Sequence, residues 1–323
     1  MADLDQVLRS NLKLRHLQLL VALDQFRHLG RAADFLALTQ PAVSKTLQDI
    51  ERTFGLLLFT RSPRGTEPTA YGAAVVRFAR TVLADLDRTR DEINAAASGA
   101  AGRVSVGAMV VATPTLVTRA VALLKATSSQ MTVFIEEGDL TRLLPRLRVG
   151  ELDLIVGRLE PGYASPDLET EALYEEPMAV VASPDHPILR RRKPAWRDLA
   201  RERWVMPPPW ASSRVKLNQL FYRDRVAPPA DIIESASFLM TLSFVRSGAI
   251  GFVAQSVGRH LEDIGLARRL RIEVPIELPP VGILWLRGRS RTPACDQFRA
   301  FLLQAARHAR PAANPFLKQS PEI

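Results

Sequence analysis

The chain has a single cysteine, Cys295, in 323 residues. One thiol excludes an intramolecular disulfide and suits a reducing compartment. Long apolar runs are missing too: no stretch reaches the 18 or so hydrophobic residues that a bilayer span needs. The first residues carry Asp3, Asp5, Arg9, Lys13 and Arg15 before any apolar run forms, which leaves no secretory signal. The expectation is a soluble cytoplasmic protein with no membrane partner. Catalytic signatures are equally scarce. The five histidines, His16, His28, His186, His260 and His308, follow no recognised metal spacing, and GxSxG, Walker A and GxGxxG sequences do not occur. No catalytic residue, metal ligand or cofactor is nominated, and the chain reads as a non-enzyme.

What is present is a globular composition, 47% hydrophobic with a mean hydropathy near zero. The length exceeds what one core supports, so two or more domains are expected. A net charge of +9 permits a nucleic-acid partner without establishing one. Between Lys13 and Arg64 the bases Lys13, Arg15, Arg27, Arg31, Lys45, Arg52, Arg61 and Arg64 face only Asp24, Asp34, Asp49 and Glu51.

That basic segment contains the most informative stretch, residues 30–64. Ala32, Ala33 and Leu36 mark one short helix with Arg31 outside its apolar stripe. Thr39 then offers an N-cap oxygen, Pro41 sits in the first turn, and Val43, Leu47 and Ile50 continue a second stripe. The opposite face of this second helix carries Gln40, Ser44, Lys45 and Gln48, donors suited to base edges and phosphates, although a merely solvated face has the same composition. LLLFTR reads as a short strand from Leu56, and SPRG as a turn that puts Arg61 and Arg64 on a basic wing.

The run RAADFLALTQPAVSKTLQDIERTFGLLLFTRSPRGTEPTAYG resembles the N-terminal signature of LysR-type transcriptional regulators, with Thr39 where serine is usual and Pro68 where leucine is usual. The resemblance implies an operator-binding protein contacting double-stranded DNA through Arg31, Thr39, Gln40, Pro41, Ser44, Lys45, Gln48, Arg61 and Arg64. It also implies a homodimer, with homotetramers built as pairs of dimers.

The rest of the chain follows in order. Residues 1–12 read as a leader, and Leu14, Leu17, Leu20 and Val21 as the stripe of a first helix. From Thr69 to Ala97, Val75, Ala79, Val82, Leu86 and Ile93 recur at three- and four-residue steps, with Thr89 in the remaining position. At ~1.5 Å per residue such a helix reaches roughly 40 Å, more than a small winged domain needs, and it reads as a dimerisation helix. Packing of the same stripe on its own chain's effector domain is the alternative. AAASGAAG at 95–102 reads as a linker. Thereafter strands and helices alternate: Val104 and Val106; Val117, Val121 and Leu124; Met131, Val133 and Ile135; Leu140, Leu143, Leu144 and Leu147; then the apolar run at 152–157. MAVVAS, WVMPPPWASS, SFLMTLSFVRSG and IGFVAQ supply a second lobe, VGILWLRG returns to the first, and a helix from Cys295 to His308 closes it.

The fold expected is therefore an α+β multidomain chain: a winged helix-turn-helix at 1–68, a linker helix and hinge at 69–102, a two-lobed α/β effector domain at 103–310 and a tail at 311–323. The two-lobed part resembles the periplasmic-binding-protein type II architecture of LysR-type effector domains. Ligands of open sheets sit beyond the carboxyl ends of strands. That rule selects Met109, Thr113 and Thr115, with Thr113 as cap of a helix starting at Pro114; Trp210, Ser212 and Ser213; and Ser235 with Phe252. An aromatic face beside hydroxyls suits a sugar, and helix-end amides suit a small carboxylate. PPPWASSRVKLNQLF and HLQLLVALDQ are similar to the galactose-binding-protein regulator branch of the family, which again points to a sugar. A small-molecule-binding protein or enzyme without a transcriptional role is the competing reading.

Overall fold

A computed structural model describes residues 7–62, 65–98 and 102–309. It divides into two compact units, one of residues 1–103 with 144–153, the other of 104–143 with 154–323.

The first unit opens with a single π-helical turn, Val7–Asn11. Its Val7 is buried in the unit's core, so the stretch expected as a leader contributes to packing. Helix α1 follows, Leu14–Phe26, burying Leu17, Leu19, Leu20, Ala22 and Leu23. Leu14, expected on the buried stripe, is 48% exposed, because the stripe is centred one position away on Leu19 and Leu23. Helix α2, Leu29–Phe35, buries Ala32 and Ala33, whose small side chains let it approach its neighbours closely. Helix α3, Gln40–Phe54, starts where the Thr39 hydroxyl accepts the Ala42 N–H and stops at Gly55, which takes a left-handed φ of 64°.

Strands β1, Phe59–Ser62, and β2, Gly65–Pro68, pair antiparallel as the wing. The strand begins at Phe59 and not at Leu56: Leu57 is 66% exposed while Leu58 is fully buried. The Glu51 carboxylate explains the boundary, because its Oε1 accepts the N–H groups of both Leu58 and Phe59 and satisfies donors that a ladder would otherwise use. Helix α4, Ala70–Ser98, starts behind Thr69, whose hydroxyl accepts the Gly72 N–H. The stretch 95–98, expected as linker, is its last turn, since the alanines there are strong helix formers.

The second unit holds two five-stranded sheets. Elements β3 (Arg103–Ala108), α5 (Thr118–Thr127), β4 (Thr132–Glu137), α6 (Leu140–Val149), β5 (Leu154–Arg158) and β6 (Leu168–Tyr174) build the first lobe, with Arg103 of β3 and residues 144–149 of α6 belonging to the first unit. Elements β7 (Met178–Ala182), α7 (Trp196–Leu199), β8 (Trp204–Met206), α8 (Ser212–Arg223), β9 (Ile232–Glu234), α9 (Phe238–Arg246), β10 (Ile250–Ala254), α10 (Gln255–Asp263) and β11 (Arg268–Arg269) build the second. The chain returns through β12 (Val281–Leu286) and ends in α11 (Pro293–Ala309). Strand orders are β4-β3-β5-β12-β6 and β11-β7-β10-β8-β9. Strands β3 and β5 run parallel, and β12 lies antiparallel between β5 and β6. All five residues of β5 are buried, as a near-continuous apolar run requires. Edge strand β4 departs from simple alternation: Ile135 is 40% exposed and Glu136 is buried. In the second lobe Trp196 and Trp204 meet the Phe221 ring edge-on at 5.2 and 5.8 Å.

Candidate functional site

In the first unit α3 presents Gln40, Pro41, Lys45 and Gln48 to solvent, with Ser44 half-buried and Thr39 exposed at the cap. Their partners in the helix, Val43, Leu47 and Ile50, lie in the core, so the polar face is fixed outward by burial of the opposite one. Arg31 is exposed on α2. A pocket of about 290 Å³ opens here, lined by Arg27, His28, Arg31, Gln40, Arg61 and Thr66 among others. Three guanidiniums around one concavity suit a phosphate oxygen. Arg61 reaches from β1 to donate to the Ser44 hydroxyl at 3.1 Å, so the wing and the recognition helix share one surface. Arg64 lies outside the described residues.

Two features of this surface escaped the sequence reading. Arg27 caps α1 in a left-handed conformation, φ 51°, and its carbonyl accepts the wing N–H of Thr66 at 2.9 Å. His28 Nδ1 accepts from the N–H groups of Gly30 and Arg31, capping α2. Histidine at a cap position, behind a left-handed arginine, carries no standard sequence signal.

In the second unit the expected effector residues separate into those at the strand ends and those elsewhere. Met109 and Thr113 follow β3, but Thr113 does not cap: the N-cap position belongs to Ala112, and the Thr113 hydroxyl donates to the Met109 carbonyl at 3.1 Å within a π-helical turn. The Thr115 hydroxyl is buried beside that of Tyr174. Trp210 stands 74% exposed beyond β8. Ser212 and Ser213 are the first residues of α8, whose N-cap is Ala211, so they are not its caps. Ser212 instead donates its hydroxyl to Glu160 Oε1 at 2.7 Å. The Ser235 hydroxyl is held in a local turn with Ser237. Phe252 is 3% exposed in the core of the second lobe, packed there because every residue of β10 is buried, and it is not a surface contact.

Between the lobes the first lobe supplies a buried cation. Arg158, at the end of β5, donates to the Pro279 carbonyl at 2.8 Å and to the Glu176 carbonyl at 2.7 Å. One guanidinium thus ties both chain segments that cross from lobe to lobe. Burial lowers its pKa, and burial raises those of Tyr174 and the Glu176 carboxyl beside it. Glu176 Oε1 accepts the Ser256 N–H at the start of α10. Among the described residues no cluster of His, Cys, Asp and Glu could hold a metal ion, and no helix is long and apolar enough to cross a membrane.

Comparison with known proteins covers both units. The family profile "Bacterial regulatory helix-turn-helix protein, lysR family" matches residues 14–73, and "LysR substrate binding domain" matches 97–307. The HTH-type transcriptional regulator GbpR of Azospirillum brasilense is 32% identical over 301 residues, 93% of this chain and 88% of that protein. The regulator GalR of Pseudomonas putida is 28% identical over 90% of this chain and 73% of its own length. Full-length CbnR in complex with its target DNA superposes with a TM-score of 0.69 at 20% identity, over 91% of this chain and all of that one.

Proposed function

This chain belongs to the LysR family of transcriptional regulators, and on that premise we propose which of its residues meet DNA, what its second unit binds and how it assembles. DNA is contacted by the exposed α3 face of Gln40, Ser44, Lys45 and Gln48, with Thr39 and Pro41 at its start and Arg31 and Arg61 beside it. The observation that carries this is the Arg61 to Ser44 hydrogen bond, which makes wing and helix a single donor surface. Lys45 and the arginines supply salt-dependent affinity for phosphates, while Gln40 and Ser44 read base edges. Arg64, next to Arg61 in sequence, belongs to the same set.

The cleft at the strand ends of the second unit takes a small-molecule effector, a sugar or a small carboxylate. Met109, Thr113, Thr115, Ser213 and Ser235 line the approach, with the exposed Trp210 ring and the Ser212 hydroxyl on the second lobe. Effector binding regulates only if it has different affinities for two arrangements of the lobes. The Arg158 staple across both crossing segments is the element that such a change must respect.

Two chains pair along α4, with tetramers as pairs of dimers, and the protein works in the cytoplasm, where operator DNA is. Phe78, Leu86 and Ile93 are 39%, 43% and 63% exposed along α4, an apolar line that a second helix would cover. The test of the whole reading is footprinting on the intergenic DNA upstream of its gene, with and without a panel of sugars and carboxylates. A protected site whose extent changes with one compound is the expected result. No protection at low salt under any condition would return the chain to the small-molecule-binding or enzymatic class.

A further inference from the structure

One wall of the basic pocket in the first unit is tied, through a run of ion pairs, to residues that do not line it. Arg27, which lines the pocket with Arg31 and Arg61, donates to Asp24 Oδ1 at 2.8 Å. Asp24 gives its other oxygen, Oδ2, to Arg80 of α4 at 3.1 Å. The second terminal nitrogen of Arg80 reaches Glu151 Oε1 at 2.9 Å, and Glu151 Oε2 accepts from Arg146 at 2.7 Å. Charges of alternating sign thus lead from the pocket through α1 and α4 to the turn between α6 and β5, all within the first unit.

The backbone of Arg27 is fixed by its left-handed conformation and by its carbonyl, which holds the Thr66 N–H of the wing, so the part of it that can respond to Asp24 is the side chain. A phosphate entering the pocket competes with Asp24 for that guanidinium. Arg61 faces a neutral rival in the Ser44 hydroxyl. How firmly Asp24 holds Arg27 depends on Arg80, which offsets part of its charge from the far side. Glu151 in turn shares the Arg80 guanidinium. The side chains of Asp24, Arg80 and Glu151 are 18%, 27% and 24% exposed, so water and salt screen these pairs less than fully solvated ones.

We propose that Arg80 is a positioning residue for DNA binding: it offsets Asp24 and so leaves Arg27 available to a phosphate, and Glu151 limits how far it does so. DNA affinity then depends on where the turn at 150–153 holds Glu151, and that turn leads directly into β5. The inference rests on the reading that the pocket meets DNA. Asp153, on the same turn, pairs with Arg88, farther along α4, at 2.8 Å, and supplies a control of equal charge. The test is fluorescence anisotropy of the full chain on a duplex from the intergenic DNA upstream of its gene and on an unrelated duplex, with circular dichroism checking that each variant is folded.

Glu151→Gln should tighten binding to both duplexes by about threefold or more, and Arg80→Gln should weaken it by a similar factor, within the range measured for coupled neighbours. The gain from Glu151→Gln should vanish in an Arg80→Gln background and again in an Asp24→Asn background, which carries the cycle alone if Arg80→Gln unfolds. A gain that persists in full in those backgrounds, or that Asp153→Asn matches, would reduce the effect to net charge and overturn the proposal while the pocket reading stands. Arg27→Ala should weaken binding and lower the slope of log K against log salt by about one. If Arg27→Ala changes neither, the pocket does not meet phosphate and the inference falls with that reading.

Discussion

Arg61 and Glu176 show how one side chain's surroundings fix its task. Arg61 is exposed yet anchored to Ser44, so its guanidinium is held beside the outer face of α3, where the proposed DNA contact would find it already in place. Replacing Arg61 with alanine should weaken binding to operator and unrelated DNA alike. The slope of log K against log salt should fall by about one, the signature of one lost phosphate contact. Filter binding between low and moderate salt measures it, and a slope equal to the wild type's would take Arg61 off the phosphates. Glu176 is the opposite case, a carboxyl whose pKa burial raises. The folded state therefore binds its proton more tightly than the unfolded state does, and stability falls as pH rises through the carboxylate range. Glu176→Gln retains an acceptor for the Ser256 N–H and removes the buried charge. Its melting temperature should exceed the wild type's at neutral pH, with the gain fading toward pH 4, and thermal melts across that range decide it. A gain that grew on acidification would contradict the sign.

At the scale of elements the recognition helix and the wing are held by atoms that no periodicity reveals. Val43, Leu47 and Ile50 announce α3 in the sequence, and Thr39 and Gly55 its ends. The wing's attachment comes from Glu51 bonding Leu58 and Phe59, and from helix α4 lying against the Leu58 carbonyl. A Cβ at Gly72 would come within 1.9 Å of that carbonyl oxygen, a distance no relaxation of a side chain can relieve. Gly72→Ala should consequently destabilise the first unit by about 1–3 kcal/mol or more, although alanine is the better helix former. Denaturant unfolding gives the value, and a neutral or stabilised variant would show that the wing and α4 separate easily. Strand β4 stands where the alternation of Met131, Val133 and Ile135 puts it, but on an edge strand the two faces are not equally covered, and Glu136 faces the packing while Ile135 is 40% exposed.

For the molecule as a whole, assembly and response to a ligand depend on surfaces one chain leaves open. The exposed line of Phe78, Leu86 and Ile93 on α4 belongs to the same helix whose Val76 and Ala79 are buried in the first unit. One face of the helix thus packs in the first unit while another is open to solvent. The double variant Leu86→Glu, Ile93→Glu should shift the protein toward monomers while leaving its helix content unchanged, because like charges across a helical seam repel and the desolvated carboxylates lose hydration. Sedimentation velocity reads the outcome; an undiminished dimer would move the interface off this line.

The sequence alone determined the helix-turn-helix, its polar face, the long helix and the alternating strands of two lobes, since each is a local pattern in which burial of one face dictates a period of 3.6 or 2. It singled out Trp210 and Ser212 by chain position, and the structure sets Trp210 on the surface beyond β8 and Ser212 at the first position of α8, whereas Phe252, expected as a contact, is buried in the core of the second lobe. Only the tertiary structure decided that Glu160 meets Ser212, 52 residues on, that Arg158 spans two crossings, and that Arg61 is bonded to Ser44. Hydrogen bonds between distant segments depend on how whole elements dock. Docking is driven by the non-directional burial of apolar surface, which leaves no periodic trace at the polar residues it happens to bring together.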